Sequence, residues 1–223
     1  MAQIFAGLFT EGKTDIRFLQ SIVQKTLEAV AFDDCSGQFD IDLSPIEINK
    51  TGLGFIEQVL AASKRGQEDF GMMILCVQAD ADKKTLNDTY QYKINPCQVE
   101  LEKQPENEFC KILVAIVPIQ ETEAWMLADK ELLRKEIGTN KTDSELKMSR
   151  HPETIANPKE VIEKAIQIAR KNLTRKRRKD LTIADLYSSI GQQIDLEKLE
   201  SLPSYQNFKE NVKKAFINLN LLY

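Results

Sequence analysis

The side chains best suited to chemistry in this sequence are carboxylates that follow hydrophobic segments. Glu11 follows the first hydrophobic segment, Asp15 lies four residues later, and Asp80 and Asp82 follow an apolar segment near the middle of the chain. Carboxylates brought together repel one another unless a cation is present, and hard oxygen ligands suit Mg²⁺ or Mn²⁺. We predict that these four acids converge on one magnesium-type metal site. The alternative is a set of solvated loop acids, because Asp is common in turns.

Two further acids, Glu121 and Glu123, follow another apolar segment. If the strand continues to Glu123, both side chains point the same way, because side chains alternate along a strand. If a helix begins at Thr122, only Glu121 lies at the strand tip. Ligands of open parallel sheets bind outside the carboxyl ends of the strands, so acids after three strands should meet at one edge.

The scarcity of other reactive residues excludes several kinds of chemistry. His151 is the only histidine, which argues against histidine-based zinc sites and against Ser-His-Asp or Cys-His catalysis. The cysteines form no CxxC pair, which indicates reduced thiols in a cytoplasmic protein; they are Cys35, Cys76, Cys97 and Cys110. We expect no signal peptide and no membrane association, because the apolar segments are too short to span a bilayer.

Positive charge is concentrated in the run Arg170–Lys179, although the formal net charge of the chain is −4. The run either contacts a nucleic-acid backbone or forms a solvated helix end or a docking surface for an acidic partner. Its candidate nucleic-acid-binding residues are Arg175, Lys176, Arg177, Arg178 and Lys179. Lys13, Lys83 and Lys84 lie close enough to the acidic motifs in sequence to contact a phosphate oxygen, or are plain surface lysines.

The hydrophobic patterns that must position these residues alternate between strand and helix. The predicted strands are Ile4–Phe9, Phe39–Leu43, Met72–Val77 and Ile112–Ile119. The predicted helices begin near Thr14, with Thr14 as cap, near Gly54 (ending about Lys64), and at Ala124 (ending at Ile137). This order favours an α/β fold, an open and mostly parallel sheet with helices on both faces.

The last third of the chain is predicted to be helical. The polar segment 139–157 is expected to be a linker or exposed loop, because it contains proline and few apolar residues. Helices are predicted at about Pro158–Lys171, Ile183–Ile190 and Tyr205–Leu219. We therefore expect an α/β domain at residues 1–140 and a helical C-terminal extension at 141–223.

Three stretches of the sequence resemble motifs of Toprim and Toprim-like proteins. The segment Phe9–Asp15 resembles the glutamate motif of the Toprim domain, and its Glu-x-x-x-Asp spacing is similar to that of nucleases of the overcoming-lysogenization-defect (OLD) type. The segment Val77–Asp82 resembles the Toprim DxD motif. Pro118–Asp129, together with Asp195–Phe208, is similar to a Toprim-like family of prokaryotes that is often encoded beside an AAA or ABC-type ATPase in defence loci. The resemblance covers most of the chain.

The resemblance implies a Toprim-like (Rossmann-like) sheet and a role for each acid. Glu11 would be a general acid/base or metal ligand, Asp80 and Asp82 would hold Mg²⁺ or Mn²⁺, and Asp15 would bind a second metal. Either Glu121 or Glu123 would be a further ligand, and Lys84 is a candidate catalytic cation. The implied activity is metal-dependent nuclease cleavage of DNA or RNA, in an antiviral effector that works with a partner ATPase.

Two other functions compete with the nuclease prediction. An Asp-x-Asp motif also marks haloacid-dehalogenase phosphatases, but these place Thr or Val where this chain has Lys84, and their motif follows the first strand. The second alternative is a non-catalytic Toprim-shaped binding or effector module that acts through a partner protein. The choice between DNA and RNA, the activating signal and the formation of a homo-oligomer stay open at this level.

Overall fold

The computed structural model of the protein describes residues 2–35, 37–81, 85–174, 177 and 180–222. Its centre is a four-stranded sheet in the order β2-β1-β3-β4, with every neighbouring pair parallel. The strands are β1 (Ala2–Phe9), β2 (Phe39–Pro45), β3 (Ile74–Gln78) and β4 (Leu113–Ile116). The predicted open parallel α/β sheet is therefore confirmed.

Helices cover both faces of this sheet, and further helices complete the C-terminal part, as predicted. They are α1 (Lys13–Asp34), α2 (Phe55–Phe70), α3 (Leu86–Thr89), α4 (Asn95–Glu102), α5 (Glu123–Met126), α6 (Lys130–Ile137), α7 (Pro158–Ala169), α8 (Leu186–Gln193), α9 (Leu196–Leu199) and α10 (Pro203–Asn218). A π-helical turn, Tyr90–Ile94, joins α3 to α4. In the described segments, none of the helices has both the length and the apolar character needed to cross a membrane.

Alternation along the strands divides the buried side chains into two cores. Ile4 and Leu8 of β1 and Cys76 of β3 face α1 and the C-terminal helices. Leu75 and Val77 of β3 face the opposite side, where α2 and α4 pack. Because successive side chains of a strand point to opposite faces, a strand buried on both sides is apolar throughout, as β3 is.

The C-terminal helices share a core with the sheet. Asn211 of α10 donates a hydrogen bond to the carbonyl oxygen of Ala115 at 3.1 Å and so covers the outer edge of β4. The hydroxyl oxygens of Tyr205 on α10 and Thr26 on α1 lie 3.0 Å apart. The proposed domain boundary near residue 140 stays a prediction, and apolar side chains from both sides of it pack in one cluster.

Several local predictions were wrong. The first helix begins after Gly12 rather than Thr14, and the carboxylate of Asp15 accepts the Gly12 N–H at 3.1 Å. The helix predicted from Ala124 to Ile137 is divided in two, because Asp129 caps α6 by accepting the N–H of Leu132. The segment 139–157 is not simply an exposed loop, since it buries three apolar side chains in the core, Leu146, Met148 and Ile155.

Helix α8 packs unusually closely on α1. A Cβ atom at Gly191 would overlap the carbonyl oxygen of Phe18, so only glycine permits this approach. Tyr187 lies one helical turn before Gly191, on the same face of α8. The close packing therefore brings a tyrosine from the C-terminal part of the chain towards the start of α1.

Candidate acidic site at the carboxyl edge of the sheet

The candidate site lies where the strand order reverses. The chain passes from β1 to β2 on one side and then crosses to β3 on the other side of β1. The crevice between the carboxyl ends of β1 and β3 is the usual ligand position in open α/β sheets. Glu11 follows β1 by two residues and Asp80 follows β3 by two residues, so the two acids flank this crevice.

Gln78, the last residue of β3, connects residues that follow three strands through hydrogen bonds of its side-chain amide. Its side-chain amide is fully buried, and a buried amide requires hydrogen-bond partners. Its oxygen accepts the N–H of Glu11 at 2.9 Å, and its nitrogen donates to Asp80 Oδ1 at 2.8 Å. The same nitrogen lies 3.4 Å from the hydroxyl of Thr122, which comes before α5. One amide thus sets the relative positions of residues that follow β1, β3 and β4.

Asp15 is a buried carboxylate in the first turn of α1. Burial raises its pKa, a hydrogen bond from Thr122 lowers it, and the charge of Glu123 raises it again; smaller contributions come from the Gly12 N–H and from Glu11. The Thr122 hydroxyl also lies 3.3 Å from Asp80 Oδ1. A hydroxyl has one proton, so Thr122 can serve only one of these carboxylates at a time.

Glu123 is held by a tyrosine from the C-terminal helices. Its carboxylate is buried at the start of α5 and accepts a hydrogen bond from the Tyr187 hydroxyl. Burial is the main cause of the raised pKa of Tyr187, followed by this hydrogen bond and by the charges of Glu123, Asp15 and Glu121. Tyr187 therefore stays protonated and donates this hydrogen bond. The charges of all three acids lie close enough to raise its pKa.

Two lysines that the sequence patterns did not single out complete the edge. Lys93, on the π-helical turn, places Nζ 2.8 Å from Glu11 Oε1 and 3.3 Å from the carbonyl oxygen of Asp80. Lys50, between β2 and α2, donates to the carbonyl oxygens of Thr10 and Glu11 at 2.6 and 2.9 Å. Burial lowers the pKa of Lys50, and the charges of Glu11 and Asp15 partly restore it.

The structure brings most of the described candidate acids to this edge. Glu11, Asp15 and Asp80 are joined through Gln78 and Thr122, as the contacts above show. Glu121 is half-buried in the turn before α5, and Glu123 lies beside Asp15. Thr122 is the cap residue before α5 and β4 ends at Ile116, so neither Glu121 nor Glu123 continues the strand.

The predicted basic residues are less well connected to the acids. Lys13 is exposed at the first turn of α1, next to Glu11. Arg177 is exposed, and its backbone contacts Arg170 and Thr174; among the described residues no hydrogen bond or ion pair joins it to the acidic edge. The remaining predicted residues lie outside the described part of the chain: Asp82, Lys83, Lys84, Arg175, Lys176, Arg178 and Lys179.

The kinds of side chain at this edge suit a hard divalent cation. Their present arrangement is not that of a metal site. Carboxylates without histidine or thiolate suit Mg²⁺ or Mn²⁺. Within the described ranges, however, no group of three or more His, Cys, Asp or Glu side chains has the arrangement of a metal site. Protein donors hold the carboxylates instead: Lys93 on Glu11, Gln78 on Asp80 and Tyr187 on Glu123.

The fold and this edge define an open parallel α/β protein with an acidic site at its topological switch point. A family model described as "Domain of unknown function (DUF4276)" matches residues 10–213, and the chain belongs to that family. The matched region contains all the described residues of the acidic edge. No curated protein and no solved structure matches the chain.

Proposed function

We propose that the protein is a metal-dependent nuclease of Toprim type that hydrolyses phosphodiester bonds in DNA or RNA with Mg²⁺ or Mn²⁺. The observation that supports this most directly is the hydrogen-bonded network in which Glu11 and Asp80 meet at the switch point, with Asp15 linked through Thr122. A buried group of acids is costly without a cation, and the burial and like charges that raise the Asp15 pKa are the expected sign of such a cost.

Each side chain has a distinct task in the proposed reaction. A divalent ion bound here supplies charge stabilisation on the phosphate and an acidified water. Asp80, oriented by Gln78, and Glu11 are the primary ligands in this scheme, and Glu11 also takes or returns the proton of the attacking water. Lys93, which neutralises Glu11 in the metal-free protein, would contact a non-bridging phosphate oxygen of the bound substrate.

The proposal extends to the setting in which the protein acts, which is antiviral defence in the cytoplasm. The sequence resemblance supports an antiviral effector that works with a partner AAA or ABC-type ATPase. Free thiols at Cys35, Cys76, Cys97 and Cys110 support a cytoplasmic setting. Three of them are buried, and burial raises their pKa values, so they take no part in the proposed chemistry.

A second function is supported by a different observation. The carboxylates of the edge already have protein donors, and the described residues contain no ready-made metal group. A non-catalytic module, which binds nucleic acid or a partner protein through this edge, would need no metal. It differs from the nuclease in predicting binding without turnover.

Cleavage assays on purified protein separate the two functions. Single-stranded and duplex DNA and RNA are incubated with Mg²⁺, Mn²⁺ or EDTA, with and without the ATPase. We expect metal-dependent cleavage, and Glu11→Gln and Asp80→Asn should each lower its rate by roughly 100-fold or more. The control Asp42→Asn removes an equal charge from an exposed position of β2 and should cut like the parent.

The possible outcomes are distinct. Equal cleavage by the parent and by both edge variants would show that the site assignment is wrong. No cleavage with any metal, combined with nucleic-acid or partner binding that the edge variants lose, would favour the non-catalytic module.

A further inference from the structure

A cavity of about 330 Å³ opens beside Glu11, between the β1–α1 turn and the segment that connects β2 to α2. Its volume is at the lower end of the roughly 300–1,000 Å³ that is usual for small-ligand pockets. The lining residues are Thr10, Glu11, Gly12, Lys13, Ile16, Ile46, Glu47, Ile48, Asn49 and Lys50. The cavity therefore has room for one small ligand and shares Glu11 with the acidic edge.

Three isoleucines supply the apolar walls of the cavity. Ile16 lies in the first turns of α1, while Ile46 and Ile48 follow β2. Ile46 is buried, and Ile16 and Ile48 are half-buried, so Ile16 and Ile48 still offer apolar surface to a ligand. Apolar side chains of this kind hold the faces of a nucleobase that has been taken out of a helical stack.

Positive and polar groups lie around these walls. Lys50 donates two of its three N–H groups to the carbonyl oxygens of Thr10 and Glu11. One N–H group then remains for a ligand. Lys13 is exposed at the start of α1, where the helix macrodipole also favours an anion. Asn49 adds an amide whose groups can pair with a base edge. The lining also carries the carboxylates of Glu11 and Glu47. The apolar slot fits a base, and the two ammonium groups are the lining groups that can meet its phosphate.

We propose that this cavity binds one unpaired nucleotide of the substrate, so that the protein acts on single-stranded nucleic acid. The inference rests on the proposed nuclease function, because it places the base next to the phosphate that meets Glu11. A base stacked and paired in a duplex cannot enter this cavity without being unstacked. A single strand offers its bases without that cost.

Mononucleotide binding in EDTA tests the cavity without any need for turnover. Nucleoside 5′-monophosphates, in ribo and deoxy form, are titrated into the parent, Ile48→Trp and Ile217→Trp by calorimetry. The first variant fills the cavity, while the second adds the same bulk at a half-exposed isoleucine of α10 that does not line it. We expect Ile48→Trp to bind at least tenfold more weakly and Ile217→Trp to bind like the parent.

The assignment is overturned if the parent binds no mononucleotide, or if Ile48→Trp binds as tightly as the parent. If Ile48→Trp does not fold, cross-linking of the parent decides instead. A single-stranded oligonucleotide carrying 4-thiothymidine should cross-link under ultraviolet light to a peptide that contains residues 46–50. Cross-links confined to other peptides would contradict the proposal.

Cleavage preference separates this inference from the proposed function. With Mn²⁺, we expect the parent to cut single strands at least tenfold faster than a duplex of the same sequence, and Ile48→Trp to lose that preference. Equal cleavage of both forms by both proteins refutes the cavity assignment and leaves the nuclease standing. Mononucleotide binding without cleavage of any strand refutes the nuclease and leaves the cavity assigned.

Discussion

The Lys93 ammonium lies 2.8 Å from a carboxylate oxygen of Glu11, a residue 82 positions earlier in the chain. Lys93 belongs to a π-helical turn inside an otherwise α-helical segment, and such turns are frequent at functional sites. The same ammonium contacts the carbonyl oxygen of Asp80. One cation thus bridges the residues that follow β1 and β3, where the proposed metal and phosphate would also lie.

Replacement of Lys93 tests whether this contact serves the reaction. Lys93→Met should lower the single-turnover cleavage rate by roughly 10- to 1,000-fold, because the charge next to the phosphate is lost; Lys93→Arg should keep part of the rate. The side chains of the pair are 24% and 31% exposed, so the free energy of unfolding should fall by only about 1 kcal/mol or less.

The matched control is Lys103→Met, which removes an exposed ion pair with Glu100. It should leave both cleavage and stability nearly unchanged. A Lys93→Met variant that cuts like the parent would assign the contact to structure alone.

Asp15 should make the metal-free protein less stable at neutral pH than in mild acid. Its pKa is raised above the ordinary aspartate value of 3.8, mainly by burial, so as the pH falls the folded protein takes up a proton before the unfolded chain does. The contribution of Asp15 to stability is fully present below about pH 3.8 and is lost as the pH rises through the raised value. In EDTA, Asp15→Asn should therefore unfold at a higher urea concentration than the parent at pH 7.

The difference in unfolding free energy between the parent and Asp15→Asn should shrink as the pH falls towards 4. Mg²⁺ at about 100 times its dissociation constant should add about 2.7 kcal/mol to the parent's stability at pH 7, and less to the variant. Urea unfolding curves at several pH values, with and without Mg²⁺, measure both effects. An Asp15→Asn variant that is less stable than the parent at every pH would contradict this account.

Tyr187 should couple the C-terminal helices to the acidic edge. Tyr187→Phe leaves the buried Glu123 carboxylate without its hydroxyl donor, and this should cost about 1–3 kcal/mol of unfolding free energy. Glu123→Gln keeps an oxygen that can accept the same hydrogen bond. Glu123→Ala removes the contact, so urea unfolding of Tyr187→Phe, Glu123→Ala and the double variant completes a cycle. A coupling energy near zero would show that the contact does not matter for stability.

Much of the fold could be predicted because its signals are local. An unbroken apolar segment marks β3, and alternating apolar residues mark β2. Glu11 and Asp80 were recognised as site candidates because they follow such strands. The sequence does not predict the division of the helix between Met126 and Lys130, because this division depends on Asp129 capping α6 against a strong apolar period. The buried residues of the segment 139–157 follow neither a helical nor a strand period, so they give no periodic signal.

The sequence by itself determined which segments become strands and helices, and which acids follow strand ends, since both depend on neighbours a few positions apart. Only the tertiary structure decided the strand order and the role of Gln78 as the link between Glu11 and Asp80. It also decided that Lys93 and Tyr187 contact the acids of this edge. These contacts join residues 64 to 82 positions apart. They depend on how the helices pack against the sheet, which no local pattern of side chains encodes.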